Sequence, residues 1–382
     1  MMKEKLLYSY LTASGVCAQI PAKSLDEEDL FVDADLEKDF ESCNLVIVSR
    51  LGADIRTIKL GNDSYLIWDY GYFSIFFKYL FAYFINSSSE KDKASYIRYV
   101  TFELASRFFL EKNQLFLSHI FMGESKKLLD NLQDPIDLKE SEKRTSFSGF
   151  CKLFIYFHEK CHLLEKWKNV EYQNMEYRTV NFIKFLESSI LNDKAVLETI
   201  LWSSDEHKSA FDENQARKIF LDKLDEILEN ENKLREVICD YYAIVETIKH
   251  FFQKIEFHDL YFFAMCFYSI EMAISAIKNI TFSDVDLEKM FMDIRIRNEI
   301  RGFMLAKHAR IHHAPIRVPQ IENSAFWQSF SASAETISKL INSDDLMKLK
   351  CDFDRNLKHS DRENLRSLLL AEFGFSKSRN VA

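Results

Sequence analysis

One stretch, residues 150–167, combines an apolar helix-forming run with the pattern His158-Glu159-x-x-His162. On an α-helix, residues four apart lie one above the other on the same face. The apolar residues beside the histidines recur at helical spacing, at Phe154, Phe157, Cys161 and Leu164. A helix of this kind needs a protein core on one side and partners for two imidazoles on the other, which constrains the fold around it.

The start of this helix is predicted just before residue 150. Ser146 or Ser148 precedes the apolar run, and serine is a preferred N-cap residue because its side-chain oxygen accepts a hydrogen bond from a free backbone N–H. We therefore expect the helix to span residues 150–167, with one of these serines as its cap.

Glycine and proline are scarce, with 8 and 4 residues among 382. This scarcity disfavours turn-rich all-β architectures, and we expect a predominantly α-helical α+β protein. Residues 44–70 are the exception, because β-branched or aromatic runs alternate there with glycine and asparagine or aspartate, which predicts a small antiparallel β element. Further helices are expected at residues 91–117, 174–192, 212–231, 233–255, 257–280 and 325–375, and a polar connector or lid at 123–148.

His158 and His162 have the spacing to supply two of the three protein ligands that a catalytic zinc ion usually has. Glu159 lies about 100° further round the helix. From there its carboxylate can take the proton of a zinc-bound water and later deliver it to a leaving amine. The alternative, two histidines that face solvent, fits poorly with the phenylalanine, isoleucine and tyrosine around them.

A second informative stretch, residues 234–246, places Glu236 and Asp240 four apart in an apolar helical sequence. Two carboxylates on one side of such a helix need partners, because burying an unpaired charge is unfavourable. The alternative for Glu236 is an ordinary surface ion pair with Arg235 or Lys233.

The formal net charge of −9 gives no electrostatic reason to expect nucleic-acid binding, so a protein or peptide substrate is the expected partner. Seven scattered cysteines indicate reduced thiols and a cytoplasmic location. Lys78 and Glu271 interrupt the two most apolar stretches, 70–85 and 260–277, so no membrane span is expected. No oligomeric state follows from the sequence.

Taken together, these motifs resemble those of the metallopeptidases called gluzincins. In that group the two histidines of His-Glu-x-x-His are zinc ligands, and a later Glu-x-x-Ala-Asp supplies the third. The resemblance implies that His158, His162 and Glu236 bind zinc and that Glu159 is the base. It also implies that Asp240 orients a ligand imidazole, or is the substitute ligand, with Cys239 in place of the usual alanine.

The stretch His313-x-Pro315-x-Arg317 is similar to the downstream part of the gluzincin pattern, although Ala314 separates histidine from proline. The resemblance implies that His312 or His313 donates to the oxyanion and that Arg317 or Arg301 holds a substrate carbonyl or carboxylate. Chain length and motif position also resemble the bacterial phage-exclusion (Lit-like) peptidases. This similarity implies cleavage of a host protein in antiviral defence.

On this interpretation residues 1–320 form a metallopeptidase domain with a zincin-like helical core, and residues 321–382 a helical extension packed on it. An alternative of another class comes from Arg301 and His308, whose spacing fits the loose signature of HEPN-type ribonucleases. A third possibility is an inactive peptidase fold that serves as a binding or sensor module. The intact Glu159 argues against this third possibility.

Overall fold

We analysed a computed structural model of the chain. It describes residues 16–19, 44–50, 55–60, 63–69, 71–72, 75–79, 90–131, 142–166, 169–192, 213–251, 257–282, 296–297, 300–304 and 325–373. Helices account for most of these residues, and one small sheet accompanies them, so the predicted helical α+β class is confirmed. Within the described part of the chain, every helix is too short or too polar to traverse a lipid bilayer.

The sheet has four strands, β1 (Val16–Gln19), β2 (Asn44–Arg50), β3 (Arg56–Leu60) and β4 (Asp63–Asp69), in the order β1-β2-β4-β3. β4 is antiparallel to β3 but parallel to β2, and β1 adds an antiparallel strand outside the predicted range. The element predicted at 44–70 is thus present, within a sheet that is mixed rather than purely antiparallel. Alternate residues of three strands, Val46, Val48, Ile58, Tyr65 and Ile67, form a buried cluster.

Ten helices of ten or more residues lie in the described part of the chain. Their bounds are α1 (Glu90–Glu111), α2 (Leu115–Asp130), α3 (Glu142–Lys166), α4 (Val170–Asn192), α5 (Glu213–Glu229), α6 (Glu231–Phe251), α7 (Phe257–Phe282), α8 (Ala325–Ile341), α9 (Asp344–Asn356) and α10 (His359–Glu372).

The break between α1 and α2 corrects the prediction of one helix over 91–117. Asn113 has a φ of 58°, and the N–H of Gln114 donates to the carbonyl of Phe109 at 2.8 Å. This is the left-handed helix ending that asparagine tolerates better than most residues. The apolar residues that follow, among them Leu117 and Phe121, are buried in a new helix, so the connector predicted from residue 123 is also wrong for 123–130.

α3 begins eight residues before the predicted start. Ser146 and Ser148 therefore lie inside the helix, and the prediction that one of them is its cap is wrong. The preceding residues include Glu142, Lys143 and Arg144, which are good helix formers and extend the helix toward the N-terminus.

The chain divides into two compact units. The first contains the sheet, α1, α2, α8 to α10 and residues 270–282 of α7, and the second contains α3 to α6, residues 257–269 of α7 and the helical residues 296–304 that the structure describes. The first unit contains residues from both sides of the predicted boundary at residue 320, because α8 packs on α1 and α10 packs on α2.

The first unit contains a buried ion cluster around Glu103 of α1. Its carboxylate accepts hydrogen bonds from Lys78 at 2.6 and 2.7 Å and from Arg107 at 2.9 Å. Arg107 also lies 4.9 Å from the ring of Phe373. Burial alone would raise the pKa of Glu103, but Arg107 and Lys78 outweigh it and hold the pKa below its ordinary value.

The Glu103 cluster makes the stability of the protein depend on pH. Because the pKa of Glu103 is lower in the folded than in the unfolded chain, its contribution is present above pH 4.5 and is lost as pH falls through the folded pKa. Glu103→Gln should lower the free energy of unfolding by about 3 kcal/mol at pH 7, and by less at pH 4. Glu124→Gln, which removes an exposed partner of Lys127, is the control and should change it by less than about 1 kcal/mol in urea unfolding. Equal effects of the two substitutions would contradict the assignment.

Candidate functional site

Helices α3 and α6 of the second unit pack side by side and bring the two sequence motifs together. The apolar residues that were predicted to line α3, Phe154, Phe157, Cys161 and Leu164, are all buried. Phe157 meets the ring of Tyr242 edge-on, and Phe154 contacts Phe267 of α7. This packing turns the histidine face of α3 toward the carboxylate face of α6.

The Nε2 atoms of both histidines face the carboxylate of Glu236. His158 Nε2 lies 3.4 Å from Oε2 of Glu236, and His162 Nε2 lies 3.5 Å from Oε1. The two imidazole rings are 5.1 Å apart at an angle of 78°. Three side chains from two helices thus bring two imidazole nitrogens and a carboxylate, all groups that can bind a metal ion, close together.

The Nδ1 atoms of the same two rings have different partners on α6. His158 Nδ1 is 3.0 Å from Oδ1 of Asp240, in close contact but without the alignment of a hydrogen bond. His162 Nδ1 is 3.4 Å from the sulfur of Cys239. Glu236 and Asp240 therefore occupy opposite sides of the His158 ring, which separates their roles.

Asp240 is also the acceptor for two arginines. Arg301 donates to it through both Nε and Nη2 at 2.7 Å, and Arg297 donates through Nε at 3.0 Å. The side chains of Asp240 and Arg301 are 1% and 2% exposed, whereas Arg297 is 35% exposed and also reaches Glu236 at 3.4 Å. A paired arrangement of this kind is what a buried carboxylate requires.

The charges of these groups lower the pKa of both carboxylates and raise the pKa of His158. Burial opposes the ionisation of Asp240, but Arg297 and Arg301 outweigh it and hold the pKa of Asp240 well below its ordinary value. Burial likewise opposes the ionisation of Glu236, yet His158 and Arg297 lower its pKa to about 2. Burial would lower the pKa of His158, but Asp240 and Glu236 raise it well above the ordinary value. The site therefore holds two ionised carboxylates and stabilises positive charge between them.

Glu159 lies beside the two histidines. Its side chain is buried, and a carboxylate oxygen of Glu159 and one ring nitrogen of each histidine lie within 4.8 Å of one another. It shares a helix with both histidines and is one residue away from His158, so it adjoins the region where their nitrogens converge.

Arg235 and Lys233, the two basic residues considered as surface partners of Glu236, form ion pairs with other carboxylates. Arg235 donates to Glu165 at 2.6 Å, and Lys233 pairs with Glu226. Both basic neighbours are thus directed away from Glu236, whose described contacts are His158, His162 and Arg297.

Of the remaining predicted site residues, Arg301 lies in the described part of the chain and the others do not. Arg301, considered as a substrate-binding residue, is buried against Asp240. His308, His312, His313 and Arg317 lie outside the described residues.

Two contact residues, Arg297 and Cys239, were not predicted as functional. Arg297 and Arg301 are four residues apart, as are Glu236 and Asp240, but this spacing does not show that the two pairs meet.

Compared with known protein families, with curated proteins and with solved structures, the chain has no significant match. The resemblance to gluzincins stays a prediction from the motifs.

The pairing of Asp240 with Arg301 can be tested by stability. Arg301→Gln should lower the free energy of unfolding by about 3 kcal/mol, because it leaves a buried carboxylate short of its main partner. Arg297→Gln removes a half-exposed partner of the same carboxylate and should cost about 1 kcal/mol or less in urea unfolding. A larger loss for Arg297→Gln than for Arg301→Gln would contradict this ranking.

Proposed function

We propose that the protein is a zinc-dependent peptidase that hydrolyses a peptide bond in a protein substrate. The observation that carries the proposal is the convergence of His158 Nε2 and His162 Nε2 on the carboxylate of Glu236. Two histidines and a glutamate form a donor set typical of catalytic zinc in peptidases.

The separations of imidazole from carboxylate are compatible with a zinc ion. In a tetrahedral site with ligands about 2.1 Å from the metal, neighbouring ligand atoms lie about 3.4 Å apart. His158 Nε2 lies 3.4 Å from one oxygen of Glu236, and His162 Nε2 lies 3.5 Å from the other. We therefore assign His158, His162 and Glu236 as the zinc ligands.

Asp240 suits a different role, that of an orienting group. It contacts Nδ1 of His158, the nitrogen on the side of the ring away from Glu236. A carboxylate in that position fixes the orientation of a ligand imidazole and raises its basicity. The two arginines that hold Asp240 leave it poorly suited to bind the metal itself.

When bound, zinc supplies Lewis acidity that activates water and polarises the substrate carbonyl. In the proposed mechanism, Glu159 accepts a proton from the attacking water and then donates it to the leaving amine. The burial of Glu159 next to both histidines supports this role. His313 and Arg317 stay the predicted groups for oxyanion stabilisation and substrate binding, and a role in antiviral defence stays a prediction from the resemblance.

The ribonuclease alternative depends on Arg301 and His308, and the contacts of Arg301 with Asp240 disfavour it. Both Nε and Nη2 of Arg301 donate to Asp240, and the side chain is 2% exposed, so it is poorly suited to bind a phosphate. The alternative of an inactive binding module is disfavoured, because Glu159 lies beside the histidines and an inactive site would not need a base.

The test is the substitution Glu159→Gln in zinc-loaded protein, with a random-sequence peptide library as substrate and mass spectrometry as the readout. Cleavage should fall about 100-fold or more, because glutamine cannot act as a base, while the zinc content should stay that of the wild type. Glu165→Gln is the matched control, since Glu165 lies on the same helix but pairs with Arg235. Full activity of Glu159→Gln would show that the assigned base is wrong.

A further inference from the structure

The two histidines of the site have chemically different supports. His158 is in contact with Asp240, a charged carboxylate, whereas His162 is in contact with Cys239, a thiol. Cys239 and Asp240 are consecutive residues of α6, and both side chains are buried. One turn of one helix thus contacts the Nδ1 atoms of both rings.

Cysteine is a common zinc ligand, but the position of Cys239 excludes it from the proposed ligand set. Its sulfur lies 3.4 Å from Nδ1 of His162, while Nε2 of the same ring faces Glu236. The two nitrogens of an imidazole direct their lone pairs to different sides of the ring. A metal ion held at Nε2 is therefore on the far side of the ring from the sulfur.

We infer that Cys239 is a positioning residue whose sulfur accepts a hydrogen bond from the Nδ1–H of His162 and holds Nε2 toward Glu236. The inference rests on the proposed function, because it assigns His162 as a zinc ligand through Nε2. Ligand histidines usually donate their other N–H to a carboxylate, a carbonyl or water. Here a weaker acceptor, sulfur, takes that place.

The surroundings explain why a neutral acceptor suits this position. Asp240, the next residue, is already paired with two cations, Arg297 and Arg301. A second carboxylate at residue 239 would add another buried negative charge beside it, and such a charge needs its own partner. A neutral thiol adds no such charge, and its sulfur can still accept a hydrogen bond.

The experiment compares the zinc affinity of the full chain with those of Cys239→Ala, Cys239→Ser and Cys151→Ala. Cys239→Ala should bind zinc about 10-fold more weakly, because the ring loses its partner. Cys239→Ser should stay close to the wild type, since a hydroxyl oxygen also accepts the N–H. Cys151→Ala is the matched control, an equally buried thiol on α3, and should bind zinc as the wild type does.

A second readout needs no substitution at residue 239. In nitrogen-15 spectra of the zinc-loaded wild type, the Nδ1–H of His162 should be protected from exchange with solvent. Wild-type zinc affinity in Cys239→Ala, affinity as weak in Cys239→Ser as in Cys239→Ala, or an unprotected Nδ1–H would each overturn the inference and leave the proposed function standing. A wild-type protein that binds no zinc would overturn both.

Discussion

Asp240 is ionised although its side chain is almost entirely buried, and the bidentate contact with Arg301 stabilises it there. Withdrawing a carboxylate from water costs several kcal/mol, which only close, well-aligned cations offset. The pair joins α6 to the helical residues 300–304, and Arg301 also lies over the ring of Phe154 on α3. Three segments of the second unit therefore meet at one carboxylate, which also contacts His158 of α3.

The site follows from two matching periodicities. His158 and His162 are one turn apart on α3, and Glu236 and Asp240 are one turn apart on α6, so the two packed helices present paired groups to each other. Because His158 has contacts at both ring nitrogens, Glu236 lies on its Nε2 side and Asp240 on its Nδ1 side. The side chain of Glu236 is 42% exposed, and this accessibility suits the metal ligand that we propose.

The sequence predicted those parts of the fold that depend on local periodicity. The apolar stripe of α3 and the strands within 44–70 are examples. The position of Glu236 near the histidines was expected from the resemblance to gluzincins, not from periodicity. The sequence did not predict the end of α1 at Asn113, where one residue in a left-handed conformation stops a helix that the apolar pattern would continue. Nor did it predict the pairing of Asp240 with Arg297 and Arg301, because contacts between residues about 60 apart depend on how helices pack rather than on local pattern.

The zinc content of the purified protein, determined by elemental analysis after exposure to excess zinc and removal of the unbound metal, tests whether His158, His162 and Glu236 bind a metal ion. We expect close to one zinc ion per chain for the wild type, loss of that ion in Glu236→Ala, and retention in Glu165→Ala, a control on α3 whose carboxylate pairs with Arg235. A wild type without zinc, or a Glu236→Ala variant with as much zinc as the wild type, would contradict it.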